Sequence, residues 1–366
     1  MAEGHLGDSL ILTPALKAVK EQINDSKVTV LLLHRTKYIN SEIPGKIEIE
    51  KSNFSGTAGV FSSNPYVDEV LELDRKAIRS LKGIARLKTE LRCINYLRKQ
   101  RFDAVICTFP QDRFVIWSYL AGIKIRIGQK KQKFSYLLTH RPDIERSDSG
   151  VLKYICNLLK PLNVVCNSLE TFYNIPSDAK SKADKFFADN KIDTSKKIIA
   201  IHPGASYVDR QWTPKNYSEL INHLLKTDLY SIILCYSVYD LLFVEELKKN
   251  LNKSVTEIQT ETIGNLSAIL EKCDLAVVHN SGPRHLAAAI GTGTLALLEK
   301  HDDITWKIYE DQSRHAVIRS LIPCISCSHN KCSGVIPQDE KYGARCMHDI
   351  SVKDVYSRIE TLLNNK

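Results

Sequence analysis

Three short stretches set small residues beside residues that hold or move charge. They are GHLGDSLILTP (4–14), HPGASYVDRQW (202–212) and HNSGPRHLAAAIG (279–291). In the third, an apolar run ends at Asn280 and Ser281-Gly282-Pro283 opens a helical pattern, with Pro near the first position, where its missing N–H costs nothing. The unpaired N–H groups of that first turn and the helix dipole make an anion or ribose site. His285 follows within the same turn as a donor, and Gly291 closes the helix as a left-handed cap. The structural alternative is a plain βαβ corner with Asn280 or Ser281 as N-cap.

In the second stretch, Gly204 permits close backbone approach and Ser206 offers a hydroxyl. Arg210 presents a planar fork of donors suited to a diphosphate; its alternative role is pairing with a surface carboxylate. In the first stretch, Gly4 and Gly7 flank a loop, and Asp8 sits where a helix should begin, as a cap or as a general base. Such loops normally follow a buried strand, and almost nothing precedes Gly4, so the first strand is expected to be missing or truncated.

The elements that position these turns come from apolar periodicity. Strands are expected at 27–34, 67–74, 102–109 and 123–128, with a helix over 76–99 carrying Ile78, Leu81, Ile84, Leu87, Leu91 and Ile94 as its apolar stripe. A charged stretch, 173–197, reads as a hinge containing a helix. Strands then recur at 197–202, 230–236, 254–259, 274–280 and 294–299, with helices between. Near-continuous Val, Ile and Leu runs imply parallel strands buried on both faces. The expected architecture is α/β, with two Rossmann-like doubly wound domains facing a central cleft and a boundary at 175/176. Open parallel sheets bind ligands at the carboxyl ends of their strands, where all three stretches fall.

Composition narrows the partners. The 366 residues carry 51 Lys and Arg against 42 Asp and Glu, a formal charge of +9, with a dense patch at 124–141 that includes Lys130, Lys131 and Lys133. That patch suits an anionic partner, or is a solvated face. No nucleic-acid module is recognisable, so nucleic acid is discounted. No apolar run approaches eighteen residues, and the expected location is the cytoplasm. Of ten cysteines, Cys93, Cys107, Cys156, Cys166, Cys235 and Cys273 read as small buried hydrophobes. Cys324, Cys327, Cys332 and Cys346 cluster, and their alternatives are structural zinc, reduced thiols or a labile disulfide.

GHLGDSLILTPALKAV, IHPGASYVDRQWTPKNYSEL and HNSGPRHLAAAIGT together resemble the three signature blocks of glycosyltransferase family 9, the bacterial heptosyltransferases of lipopolysaccharide core assembly. SNPYVDEVLELD, LRKQRFDAVI and LAGIKIRIG are similar to its N-terminal domain, and the CISC…CM tail with SVKDVYSRIETLL to its end. The resemblance implies a GT-B fold and an inverting, metal-independent transfer that uses no cofactor. The implied donor is a nucleotide sugar, ADP-heptose, and the acceptor an anionic glycolipid or oligosaccharide. In that scheme Asp8 takes the acceptor's proton, Arg210 stands where members carry a lysine for the leaving diphosphate, and Ser281, Gly282 and His285 match the donor turn. Asn280 replaces the usual aspartate, and Leu298-Glu299 the usual Phe-Gly. These departures keep three alternatives open: another nucleotide sugar, donor binding without transfer, and a nucleotide-sugar epimerase on the same two-domain plan.

Overall fold

The computed structural model describes residues 2–3, 6–34, 57–74, 78, 80–144, 146–205, 207–299, 309, 313–322, 327–328, 331–332, 337 and 341–364. The chain divides into two compact units, Met1–Tyr173 and Asn174–Lys366.

The first unit runs β1 (Ala2–Glu3), α1 (Leu6–Leu10), α2 (Thr13–Gln22), β2 (Thr29–His34), α3 (Gly59–Ser62), β3 (Glu69–Asp74), α4 (Gly83–Gln100), β4 (Ala104–Ile106), α5 (Asp112–Leu120), β5 (Ile125–Ile127) and α6 (Arg146–Asn157). β1 pairs in parallel with β2 at Ala2↔Leu32 and Glu3↔Leu33, and β2 with β3. A strand therefore does precede Asp8, reduced to two residues. β4 and β5 form a separate parallel pair. Leu71, Leu73, Cys93, Ile94, Leu97, Phe114 and Trp117 build the core.

The expected apolar stripe of α4 is buried only in part, at Ile94. The buried face is Thr89, Cys93, Ile94 and Leu97, whereas Ile84, Leu87 and Leu91 are 73%, 59% and 49% exposed. Burying one such side chain contributes roughly 1.5–3 kcal/mol, so α4 is held by its other face and leaves this one in water. A second correction concerns Cys156 and Cys166, read from sequence as separate small hydrophobes. They are joined as a disulfide with Cα atoms 5.8 Å apart. Cys93, Cys107, Cys235 and Cys273 are buried, as small hydrophobes would be.

The second unit runs α7 (Ser177–Asp189), β6 (Lys197–Ile201), α8 (Pro214–Lys226), β7 (Tyr230–Tyr236), α9 (Leu241–Lys248), β8 (Thr256–Gln259), α10 (Ile263–Glu271), β9 (Leu275–His279), α11 (Gly282–Ala289), β10 (Gly293–Leu298), β11 (His315–Arg319), β12 (Cys327–Ser328), β13 (Lys331–Cys332), α12 (Arg345–His348) and α13 (Val352–Asn364). Six strands form one sheet in the order β11-β10-β9-β6-β7-β8, every pairing parallel. Their residues are apolar without alternation because helices cover both faces; all five of β9 are buried. The stretch read as a hinge containing a helix supplies α7, which packs on α10. A Cβ on Gly264 would sit 3.4 Å from Pro176 and 3.6 Å from Ala179. β11 was not anticipated, since His315 and Arg319 bound its short apolar run.

α8 begins as its sequence dictates. Thr213 caps it, accepting from the Asn216 amide at 3.1 Å, and Pro214 occupies the first turn. The helix buries Tyr217, Leu220, Ile221 and Leu224 against the sheet. Of the clustered cysteines, Cys324 lies outside the described residues. Cys327 and Cys332 pair across the β12–β13 ladder, and Cys346 is buried.

Candidate functional site

Strand order alone locates a site in the second unit. From β6 the chain adds β7 and β8 on one side, then returns to place β9 and β10 on the other. β6 and β9 therefore flank the point where the order reverses, and their carboxyl ends open the crevice in which such sheets bind ligands. The turns at 202–210 and 280–282 leave from these two strands, and Glu299 leaves from neighbouring β10. A cavity of about 280 Å³ lined by Asp274, Gly291 and Thr292 lies at the opposite, amino ends of β9 and β10, away from these groups.

Gly204 is a glycine for a reason internal to the protein. A Cβ there would come within 2.4 Å of Asp240 Oδ1, so a buried carboxylate occupies the space that sequence reasoning gave to a ligand. Asp240 accepts from the Ser237 amide at 2.9 Å and the Ser237 hydroxyl at 2.6 Å, closing a capping box after β7. It also faces His202. Burial nonetheless holds the His202 imidazole below its ordinary value, with Asp240 opposing. Ser206 lies outside the described residues.

Arg210 ends a single helical turn, Val208–Arg210. Its Nε is 3.0 Å from Glu299 Oε1, an ion pair by distance rather than an aligned hydrogen bond, with side chains 26% and 14% exposed. The guanidinium lies over the Tyr207 ring, 5.1 Å from its centroid. Two residues that depart from the family pattern are thus each other's partner. The backbone of the turn is held from the far end of the chain: the Gly343 and Ala344 amides donate to the Val208 and Asp209 carbonyls at 2.9 and 2.8 Å. Gly343 adopts φ +76°, which favours glycine.

His279 ties this turn to β9. Its Nε2 accepts from the Trp212 amide at 3.2 Å and lies 2.9 Å from the Tyr217 hydroxyl, while Nδ1 faces the Leu297 carbonyl at 3.4 Å. The pattern fits a neutral ring protonated at Nδ1, and burial pushes its pKa down to about 4.

At α11, Asn280 Oδ1 accepts from Arg284 Nη1 at 2.9 Å, so the amide that replaces the family's aspartate orients a buried guanidinium. Ser281 takes the N-cap position with extended backbone, but its side chain makes no cap hydrogen bond. Its buried hydroxyl has no partner among the described residues. The helix corner therefore does not use the hydroxyl, which stays available to a ligand. Gly282 and Pro283 begin the helix one residue earlier than expected, and Gly291 ends it at φ +87°. His285 is buried with Nδ1 3.1 Å from the Tyr309 hydroxyl. Burial first, then the Arg284 charge, lowers its pKa to about 3, so at neutral pH it is an uncharged hydrogen-bonding group and not a cation. His202, Asp240, Arg284 and Tyr309 escaped the sequence reading, and Glu299 entered it only as a departure from the family pattern. Asp240 and Tyr309 lie far in sequence from Gly204 and His285, the site residues they face, whereas His202 and Arg284 sit inside the two turns and carry no signal of their own.

In the first unit, Asp8 is half-buried within α1, past the cap position, just beyond β1. Lys130 pairs with Asp143 at 2.7 Å, both side chains well exposed, and its hydrogen bond, then its charge, lowers the Asp143 carboxyl from its ordinary value. Lys131 is exposed, and Lys133 stands over the Phe134 ring at 5.3 Å.

The family description Glycosyltransferase family 9 (heptosyltransferase) matches residues 91–334. The lipopolysaccharide core heptosyltransferase OpsX of Haemophilus influenzae is 28% identical over 311 residues, covering 83% of this chain and 85% of that protein. A family 9 glycosyl transferase structure from Veillonella parvula superposes with a TM-score of 0.73 at 18% identity, covering 99% of this chain and 95% of the other. The E. coli heptosyltransferase WaaC, solved with ADP-2-deoxy-2-fluoro heptose, gives 0.67 at 15% identity, covering 100% and 98%. These likenesses give the fold, the α/β GT-B fold.

Proposed function

The chain belongs to glycosyltransferase family 9 and is a glycosyltransferase, and from that premise we propose that it moves heptose from ADP-heptose, with inversion and without a metal, onto an anionic lipopolysaccharide-core acceptor. The donor proposal draws on the ADP-heptose analogue bound to WaaC and the acceptor proposal on the OpsX name. The observation that carries the reading is the unpartnered Ser281 hydroxyl at the amino end of α11, on the strand-order reversal. There the positive end of the α11 dipole would meet the diphosphate.

In the proposed step, the acceptor hydroxyl attacks the anomeric carbon from the face opposite the diphosphate. The new carbon–oxygen bond forms as the bond to phosphate breaks, the acceptor proton passes to the Asp8 carboxylate, and the electron pair leaves on the diphosphate. Arg210 and the amino end of α11 stabilise that charge, a role in which one well-aimed donor lowers the barrier by roughly 3 kcal/mol. Lys130, Lys131 and Lys133 attract the acceptor's phosphates, and such an acceptor keeps the protein at the cytoplasmic face of the inner membrane. The test is transfer from ADP-heptose to a core acceptor by wild type, Asp8→Ala and Asp8→Asn, with the product's anomeric configuration read by NMR. Loss of turnover by at least a hundredfold in both variants is expected. Unchanged turnover removes Asp8 from the mechanism.

A second reading, donor binding without transfer, is favoured by one observation: Glu299 already engages Arg210. Tight ADP-heptose binding with no turnover on any acceptor would select it.

A further inference from the structure

We propose that the outer face of α4 docks the protein onto an anionic phospholipid surface. Ile84, Leu87 and Leu91 stand at spacings of three and four residues, which places them on one stripe of an 18-residue helix. All three are exposed, and Tyr119 and Leu120, 49% and 45% exposed, add apolar surface at the end of α5, with the Arg126 guanidinium over the Tyr119 ring at 5.5 Å. Arg98 Nη2 joins the two helices here by donating to the Leu120 carbonyl at 2.7 Å. Lys88, Arg92 and Lys99, all exposed, follow one another along the stripe's other edge at steps of four and seven residues. The helix carries five cations and one carboxylate, Glu90. That carboxylate is turned toward α5, where it accepts from Trp117 Nε1 and meets Arg113 Nε at 3.1 Å.

An apolar stripe edged by Lys and Arg, on a helix neither long nor apolar enough to cross a membrane, is the pattern of a helix lying in the interface plane. Its aliphatic residues enter the headgroup boundary while the cations meet lipid phosphates. Charge selects this occupant over a second copy of the chain, which would set five cations against five. The inference deepens the membrane contact proposed above, but it depends on neither donor nor acceptor, and its test contains neither.

The full-length protein is sedimented with vesicles of phosphatidylcholine containing phosphatidylglycerol, and with phosphatidylcholine alone. Wild type should partition onto the anionic vesicles and release as salt is raised. Lys88→Gln/Arg92→Gln should lose more than tenfold in partitioning, at about fivefold per cation. Leu87→Ser/Leu91→Ser should lose at least tenfold, and both variants should keep the wild-type melting temperature. The proposal is overturned if wild type stays in the supernatant, if both variants partition like wild type, or if ultracentrifugation shows a dimer that Leu87→Ser/Leu91→Ser dissociates.

Discussion

Replacing Glu299 by Gln should strengthen the binding of nucleoside diphosphate. The Arg210–Glu299 separation of 3.0 Å corresponds to a Coulomb attraction of about 5 kcal/mol at an effective dielectric constant of ~20. Desolvation of two half-buried groups offsets most of it, leaving about 1–2 kcal/mol that a competing diphosphate must displace before it meets the guanidinium. Glutamine keeps the shape and removes the charge. ADP affinity, read by titration calorimetry, should rise about tenfold, the equivalent of 1.4 kcal/mol. In an Arg210→Gln background the same change should do nothing, because the competition no longer exists. Weaker or unaltered ADP binding by a folded Glu299→Gln protein would refute the competition and make Glu299 a contributor to the donor site.

Ser281→Ala should leave stability within about 0.5 kcal/mol, since the hydroxyl bonds nothing among the described residues, and should weaken ADP-heptose binding about fivefold; calorimetry and melting together check it. Gly204→Ala should destabilise the second unit by about 2–3 kcal/mol in urea titration, because the new methyl meets Asp240, and Gly204→Ala/Asp240→Ala should recover much of that loss. The buried histidines set an acid limit. His279 and His285 have folded pKa values near 4 and 3 against an ordinary value of about 6.5. Above pH 6.5 both states are neutral and nothing is lost. Between 6.5 and the folded values only the unfolded chain takes up the proton, so stability falls by roughly 1.4 kcal/mol per pH unit for each ring. Urea midpoints at pH 7.5 and 5.0 should therefore differ, and His279→Gln should flatten the difference.

Much of the second unit is legible in its sequence because a parallel sheet covered on both faces demands uninterrupted apolar runs, and β6, β7, β9 and β10 supply them. Legibility fails where a choice depends on what lies across space. The α4 periodicity contains two apolar stripes, and only packing against β4 and α5 selects the face with Cys93 and Leu97. The stretch 173–197 is poor in β-branched residues and reads as a hinge containing a helix, but nothing local shows that Ala179 and Ala183 give α7 a small buried face. At the site, the turns were legible from Gly, Pro and Ser placement, whereas their supports were not. Nothing local to Gly204 announces Asp240, 36 positions later, and nothing in Arg210 announces Glu299.

The turn bearing Arg210 hangs from the amides of Gly343 and Ala344, so its geometry is set by chain that follows the last strand of the six-stranded sheet. A chain cut after β11 would keep every strand of that sheet and still lack the two donors that fix Val208 and Asp209. The scaffold and the placement of its cation are thus encoded in separate segments.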